Sequence, residues 1–225
     1  MKTKNENAHK PTLAVLGGSG KLGYQLARRW GAKGYPIVVG SRNTNNTRSL
    51  RERLIAETHN QNINISSNLE ATKIAEIIIV AVPFKGVAQL LEEIKPACKG
   101  KTVIDCTVGL TPPKVFKVQF PDGESAGMKA QKLLGEKVNL VSAFQNIGAA
   151  KLDGDTVIEP HVLICGNCET SVEQAIILAK DAGMQAFHAG PIENSLATEA
   201  LTSLLIFLNK KYGAKEAGIA VTGLR

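Results

Sequence analysis

TLAVLGGSGKLG, residues 12–23, opens with an apolar run from Thr12 to Leu16, turns through glycines, and enters a stretch where Leu22, Leu26, Ala27 and Trp30 recur at three- and four-residue spacing. That pattern predicts a strand, a glycine turn and an amphipathic helix. Gly34 ends the helix and the buried strand PIVVG follows at Pro36 to Gly40, so residues 12–40 close a βαβ unit. The alternation continues with a basic helix over Thr47 to His59, a strand near Ile63 to Ser66, a helix over Leu69 to Ala75 and a strand at Ile77 to Val82. Pro83 breaks that strand; Phe84, Val87, Leu90, Leu91 and Ile94 then form a helical face before the strand Thr102 to Asp105. Alternating units of this kind build an α/β fold, a Rossmann-like doubly wound parallel sheet whose ligand lies beyond the carboxyl ends of the strands.

Residues 107–123 are irregular and proline-rich. Beyond them the pattern predicts a helix over Ser125 to Leu134, strands at Val138 to Ala143 and His161 to Cys165, a helix over Glu169 to Ala182 and a strand at Met184 to His188. A last helix carries Ile192, Leu196, Ala200, Leu204 and Leu208 on one stripe with Ala197, Leu201 and Leu205 beside it, a broad apolar face suited to core, to a homodimer seam, or to both. The expected organisation is a polar N-terminal tail over 1–11, a dinucleotide-binding domain over 12–143, and a smaller C-terminal elaboration over 144–225 packed on it.

With 225 residues, 44% hydrophobic and 21% charged, the chain has the composition of a globular protein with a substantial core, which excludes disordered and fibrous classes. The longest apolar run, Ile77 to Pro83, is far short of the ~20 residues that span a bilayer, so no membrane association is expected. The opening MKTKNENAHKP lacks an apolar segment and reads as a polar tail, not a signal peptide. Together with four cysteines at 98, 106, 165 and 168, this predicts free thiols in a cytoplasmic setting.

The net charge of +7 is concentrated: Arg28, Arg29, Lys33, Arg42, Arg48, Arg51 and Arg53 face the single acid Glu52 in that stretch. Aromatics at 4% are too few for base-stacking surfaces, and no nucleic-acid motif appears, so an anionic cofactor is the better reading. The glycine motif supplies its seat. In Gly18-Ser19-Gly20-Lys21-Leu22-Gly23 the first glycine permits the tight turn, the second admits a pyrophosphate close to backbone, and the third lets helix pack on strand. Free N–H groups and the positive end of the helix dipole then face the phosphates.

Where an NAD site keeps a carboxylate at the end of the second strand, this chain has Gly40-Ser41-Arg42, a hydroxyl and a guanidinium suited to the 2'-phosphate of NADP. Arg48, Arg51 and Arg53 add to the local field, although each taken singly reads as part of a solvated helix face. Cys165 and Cys168, with His161 upstream, lack a fourth donor at ligand spacing, so neither metal nor redox function is expected of them. Lys85, Asp105, His161 and His188 are the acid–base candidates, but they form no recognisable set, and His188 reads as a core histidine. No catalytic side chain is assigned.

Taken with AVPF at Ala81 to Phe84, VSAFQNIGAAKL at Val141 to Leu152, VLICG at Val162 to Gly166, AGPIENS at Ala189 to Ser195 and a C-terminal GIAV, the chain resembles the coenzyme F420-dependent NADP reductases over about residues 12–220. The resemblance implies hydride transfer between NADP(H) and an 8-hydroxy-5-deazaflavin, with Ala81, Val82 and Pro83 on the nucleotide side. Ile147, Gly148, Ala149, Ala217 and Gly218 would border the deazaflavin, making 144–225 the acceptor-binding part. Two departures stand out: Gln145-Asn146-Ile147-Gly148 replaces a frequent His-x-Ile-Pro or His-x-Val-Pro, and Asn46 stands where a basic residue sometimes follows the Ser-Arg pair. Direct transfer between stacked rings needs orientation and exclusion of water rather than an acid–base residue. The residues alone leave three alternatives: an NADP-dependent reductase of a small imine or keto compound, a flavin (FMN or FAD) reductase on the same fold, or a non-catalytic NADP sensor.

Overall fold

The computed structural model describes residues 10–43, 47–154 and 158–224. Most of the expected polar tail, and Asn46, lie outside the described residues. The elements in order are β1 (Leu13–Leu16), α1 (Lys21–Ala32), β2 (Ile37–Ser41), α2 (Arg48–Thr58), β3 (Ile63–Ser67), α3 (Asn68–Ile74), β4 (Ile77–Val80), α4 (Val87–Ile94) and β5 (Thr102–Asp105). There follow α5 (Ala126–Leu134), β6 (Asn139–Ser142), β7 (Ile158–Gly166), α6 (Glu169–Asp181), β8 (Met184–His188) and α7 (Ser195–Tyr212).

β1 is apolar at every position because both of its faces are covered. Leu13 and Val15 join a cluster with Leu26, Trp30, Ile37 and Ile79, whereas Ala14 and Leu16 point to the other side, among Val38, Ile78, Leu91 and Val103. The strands form one sheet in the order β3-β2-β1-β4-β5-β6-β7-β8. β1 pairs in parallel with β2 on one side and β4 on the other, Leu13 opposite Ile37 and Ile77. The order reverses at β1, which opens a crevice at the carboxyl ends of β1 and β4.

The sheet is not parallel throughout, as the alternation had predicted. β7 runs antiparallel to β6, with Ser142 opposite Cys165, and β8 follows β7 in parallel. A parallel return needs a crossover of a dozen or more residues, usually a helix. Among the described residues between β6 and β7 only one short 3-10 turn, Ala149–Leu152, is present, and the chain doubles back. β7 is also longer than expected, starting at Ile158.

Trp30 ties the two ends of the chain together. Its ring is fully buried, its Nε1–H donates to the Leu178 carbonyl at 2.7 Å, and Phe144 meets it edge-on at 6.1 Å. Phe144 holds a positive φ of 72°, a left-handed conformation that costs a non-glycine residue roughly 1–2 kcal/mol. Burying its ring completely contributes about 1.5–3 kcal/mol and offsets that strain. The chain thereby turns sharply off β6 into 145–149.

Candidate functional site

The glycine loop is shaped by contact. Gly17 has φ +91°, and a Cβ there would lie 2.5 Å from the Ala81 carbonyl oxygen; at Gly23 it would lie 2.4 Å from the Gly17 oxygen. Loop, helix and the β4 end therefore pack backbone against backbone, and the Ala81 N–H donates to the Leu16 carbonyl at 2.8 Å. Gly20 is the N-cap of α1, no side chain caps it, and no acid occupies the first turn. The N–H groups that open α1 are left to a ligand.

This helix end opens on a cavity of about 670 Å³ whose wall includes Ser19, Gly20, Lys21, Tyr24, Gln25, Ser41, Arg53, Ala149 and Asp153. Of the residues expected from the sequence, the structure gathers Ser19, Gly20, Lys21, Ser41 and Ala149 in that wall. Gly18, Leu22 and Gly23 support the loop from behind. Arg42 is exposed and its side chain is not part of the wall, although its neighbours Ser41 and Asn43 are. Ala81, Val82 and Pro83 follow β4 beneath the loop, Ala81 and Val82 half-buried and Pro83 exposed. Ile147 is buried in the main core, while Gly148 is exposed at the surface. Ala217 and Gly218 lie in the C-terminal segment, outside the cavity.

Tyr24, Gln25 and Asp153 line the wall without having been expected there, and Arg53, expected only to add to the local field, joins them. Tyr24 and Gln25 lie one turn along α1 from Gly20 and Lys21, so helical spacing could have found them. Arg53 stacks over the Tyr24 ring at 4.5 Å and pairs with Glu57 at 2.8 Å, which brings it into the wall from α2. Arg48 pairs with Glu52 at the surface, and Arg51 donates to the Ile63 carbonyl.

Arg28 and Arg29, counted from the sequence as part of a field for an anion, do different work. Both are buried. Arg28 Nη2 donates to the carbonyls of Leu152 and Gly154 at 2.9 and 2.7 Å. Arg29 donates from Nε to Leu152 and from Nη2 to Gly154, both at 2.9 Å, and from Nη1 to Ala182 at 2.7 Å. Leu152 closes the 3-10 turn and Ala182 caps α6, so cations sit where helix C-termini leave carbonyls unsatisfied. The arginines thereby clamp 149–154 onto α1 and hold Ala149 and Ala150 in the cavity wall.

The Gln145-Asn146 departure is also structural. Gln145 Nε2 donates to the Asp105 carbonyl at 2.9 Å and to Ser142 Oγ at 2.7 Å, binding the loop to the ends of β5 and β6. Its Oε1 is buried with no hydrogen-bond partner among the described residues. Asn146 Nδ2 donates to the His161 carbonyl at 2.8 Å.

None of the acid–base candidates lines the cavity. Asp105 is buried and accepts from the Thr107 N–H and hydroxyl; burial pushes its carboxyl up to about 6 against the pull of those two bonds. Glu199, on α7, caps α5 by accepting from the Ala126 and Gly127 N–H groups at 2.8 and 3.0 Å, and burial pushes it up to about 7. Lys85 is exposed. His188 is not a core residue: it ends β8 exposed, its Nε2 3.1 Å from the Gly190 carbonyl oxygen. Cys98, Cys106 and Cys165 are buried free thiols, and burial raises the pKa of each. Cys168, the N-cap of α6, is partly exposed, and hydrogen bonding to Ser171 and Thr170 lowers its thiol pKa. Among the described residues no cluster of three potential metal ligands occurs, and no helix is long and apolar enough to cross a membrane.

Residues 12–109 match the family model described as NADP oxidoreductase, coenzyme F420-dependent. The chain is 33% identical over 221 residues to the F420-dependent NADP reductase of Methanocaldococcus jannaschii, covering 94% of this chain and 98% of that protein. It is 34% identical over 220 residues to the F420-dependent NADP reductase of Methanothermobacter marburgensis, with the same coverage. Among solved structures, an Arthrobacter sp. FB24 chain provisionally described as an F420-dependent NADP reductase superposes with a TM-score of 0.78 at 19% identity, over 94% of this chain and all of that one. An imine reductase from Myxococcus stipitatus superposes with a TM-score of 0.61 at 19% identity, over 91% of this chain and 63% of that one, a likeness of fold.

Proposed function

The chain belongs to the F420-dependent NADP reductase family, and from that membership and its cavity we infer that it transfers hydride between NADP(H) and coenzyme F420, an 8-hydroxy-5-deazaflavin. The observation that carries the reading is the single cavity bounded by the uncapped α1 N-terminus on one side and by Ala149 and Ala150 on the other. Gly18, Ser19, Gly20, Lys21, Leu22 and Gly23 hold the pyrophosphate at the helix end, where a Cβ at Gly20 would meet little besides the Gly17 oxygen at 3.2 Å and leave no room for close approach. Ser41 and the exposed Arg42 grip the 2'-phosphate, joined by Arg53 from α2. Ala81, Val82 and Pro83 line the way toward the nicotinamide end.

On the acceptor side, Gly148 and Ala149 present little bulk to a flat ring. The C-terminal segment closes toward them: the Glu216 carboxyl lies 3.9 Å from where a Cβ on Gly148 would be. Ile147 anchors this wall from inside the core, and Ala217 and Gly218 form its outer edge. When both are bound, NADPH supplies the hydride and the deazaflavin accepts it. The protein would orient the two and exclude water from between the rings, and the proton that accompanies the hydride would reach the deazaflavin from solvent at its outer positions, so no side chain in the wall needs to move it. Residues 12–143 serve the nucleotide and 144–225 the acceptor.

Two further points belong to this reading. Leu204, Phe207, Leu208 and Tyr212 leave α7 with an exposed apolar face, which supports a homodimer through that helix. Free cysteines fit a reducing, cytoplasmic setting. The test is stopped-flow mixing of the protein with stereospecifically deuterated NADPH and F420, expecting label on the deazaflavin from one nicotinamide face. Label from neither face, or turnover only of a small imine or keto compound, of FMN or of FAD, would refute the assignment; tight NADPH binding without any turnover would leave an NADP sensor.

A further inference from the structure

His161 turns three of its four polar groups toward the outer wall. Its N–H donates to the Ile219 carbonyl at 2.7 Å, its carbonyl accepts from Asn146 Nδ2 at 2.8 Å, and its ring Nδ1 accepts from the Val221 N–H at 3.0 Å. Two parallel segments in this register, with the His161 N–H on the Ile219 carbonyl, would have the Val221 N–H donate to the His161 backbone carbonyl. Here that carbonyl is taken by Asn146, and the imidazole stands in for it. Acceptance at Nδ1 requires the neutral ring with its proton on Nε2.

The residues on either side reinforce the junction. Pro160 packs so closely on Gly218 that a Cβ there would lie 2.2 Å from Pro160 Cγ, and the Ala217 N–H donates to Asn209 Oδ1 at 2.7 Å. The His161 ring leans on Phe187 at 5.2 Å, which fixes its direction. Segment 217–221 has no helix or strand of its own, so these few bonds decide where it lies. One residue thus ties the 145–149 loop, through Asn146, to the C-terminal strap.

We propose that His161 is a positioning residue for the acceptor: it locks the 217–221 strap against the 145–149 loop and so sets the wall on which the deazaflavin rests. The proposal rests on the reading that these two segments border the deazaflavin. His161 does not line the cavity at the glycine loop, and these hydrogen bonds tie it to Asn146 and the 217–221 strap, so the effect is expected on the acceptor far more than on NADPH.

The test compares His161→Phe, which keeps the ring contact with Phe187 and loses the acceptor nitrogen, with His161→Asn, whose Oδ1 can occupy the place of Nδ1. Steady-state kinetics with NADPH and F420 are measured on the full chain, with amide exchange of Val221 alongside. His161→Phe is expected to raise the KM for F420 about five- to tenfold, the scale of one lost hydrogen bond, with the NADPH KM within about twofold and faster Val221 exchange. His161→Asn is expected to restore both. An unchanged F420 KM despite faster Val221 exchange would overturn the proposal, and so would an Asn variant as impaired as Phe. Should His161→Phe fail to fold, Val221→Pro deletes the same bond from the donor side and must give the same rise in F420 KM; a normal KM there overturns the proposal. A wild-type protein inert toward F420 overturns the functional reading instead, and the acceptor role of the strap with it.

Discussion

Arg29→Met measures how strongly the C-terminal part is held on α1. The change removes the guanidinium and keeps an apolar stem in a site where Arg29 is 7% exposed. Three of its hydrogen bonds, to Leu152, Gly154 and Ala182, are lost. The first two carbonyls keep a bond from Arg28, so only the Ala182 carbonyl loses a charged donor without that relief. At about 1 kcal/mol net for each bond, and up to about 3 kcal/mol for a carbonyl left unsatisfied, the expected destabilisation is roughly 3–5 kcal/mol. For a chain of this size that lowers Tm by roughly 6–20 °C. Arg28→Met alone should cost less, because Arg29 still serves both shared carbonyls. The double variant should exceed the sum of the singles, since only then do Leu152 and Gly154 lose both donors. The assay is a urea-unfolding double-mutant cycle with a parallel thermal scan. A Tm loss below about 2 °C for Arg29→Met, or strict additivity in the cycle, would refute the clamp.

Other outcomes can be checked independently. Arg42→Ala should weaken NADPH binding by about 1.5–3 kcal/mol in calorimetry and leave weak NADH binding nearly unchanged, whereas Gly20→Val should harm both nucleotides; equal losses for both in Arg42→Ala would remove its 2'-phosphate role. Glu199 is pushed up to about 7 by burial, so its contribution to stability is complete below the ordinary carboxylate range and is lost as pH rises from about 4.5 through about 7. Chemical denaturation across that window should therefore show a decline that Glu199→Gln flattens, and an identical slope in the variant would contradict this. Among the described cysteines, Cys168 combines exposure with a lowered thiol pKa, so a native-state thiol reagent should label it well before the other three; simultaneous labelling of all four would show the burial of Cys98, Cys106 and Cys165 to be wrong.

Residues 12–40 are enough to read the βαβ unit and its glycine loop because everything that specifies them is local. An all-apolar strand means two covered faces, glycines at fixed intervals mean backbone against backbone, and a missing acid after β2 means a site open to phosphate. The family signatures extended that reading to residues 144–225 by resemblance, and with it came the proposal that Gly148 and Ala149 face the acceptor. What the sequence could not give was anything resting on partners far apart in the chain. Arg28 and Arg29 look like surface charge for an anion until tertiary packing brings the carbonyls of Leu152, Gly154 and Ala182 against them. His188 alternates like a core residue, yet β8 is the edge strand and its end is open to water. The direction of β7 depended on how a short connection returns, not on the pattern of β7 itself. Gln145 and Asn146 departed from the expected motif without a visible reason, and the reason is three-dimensional: one ties the loop to β5 and β6, the other to β7. Local pattern fixes which face of an element is buried, whereas the partner of a buried polar group is chosen only when distant segments meet.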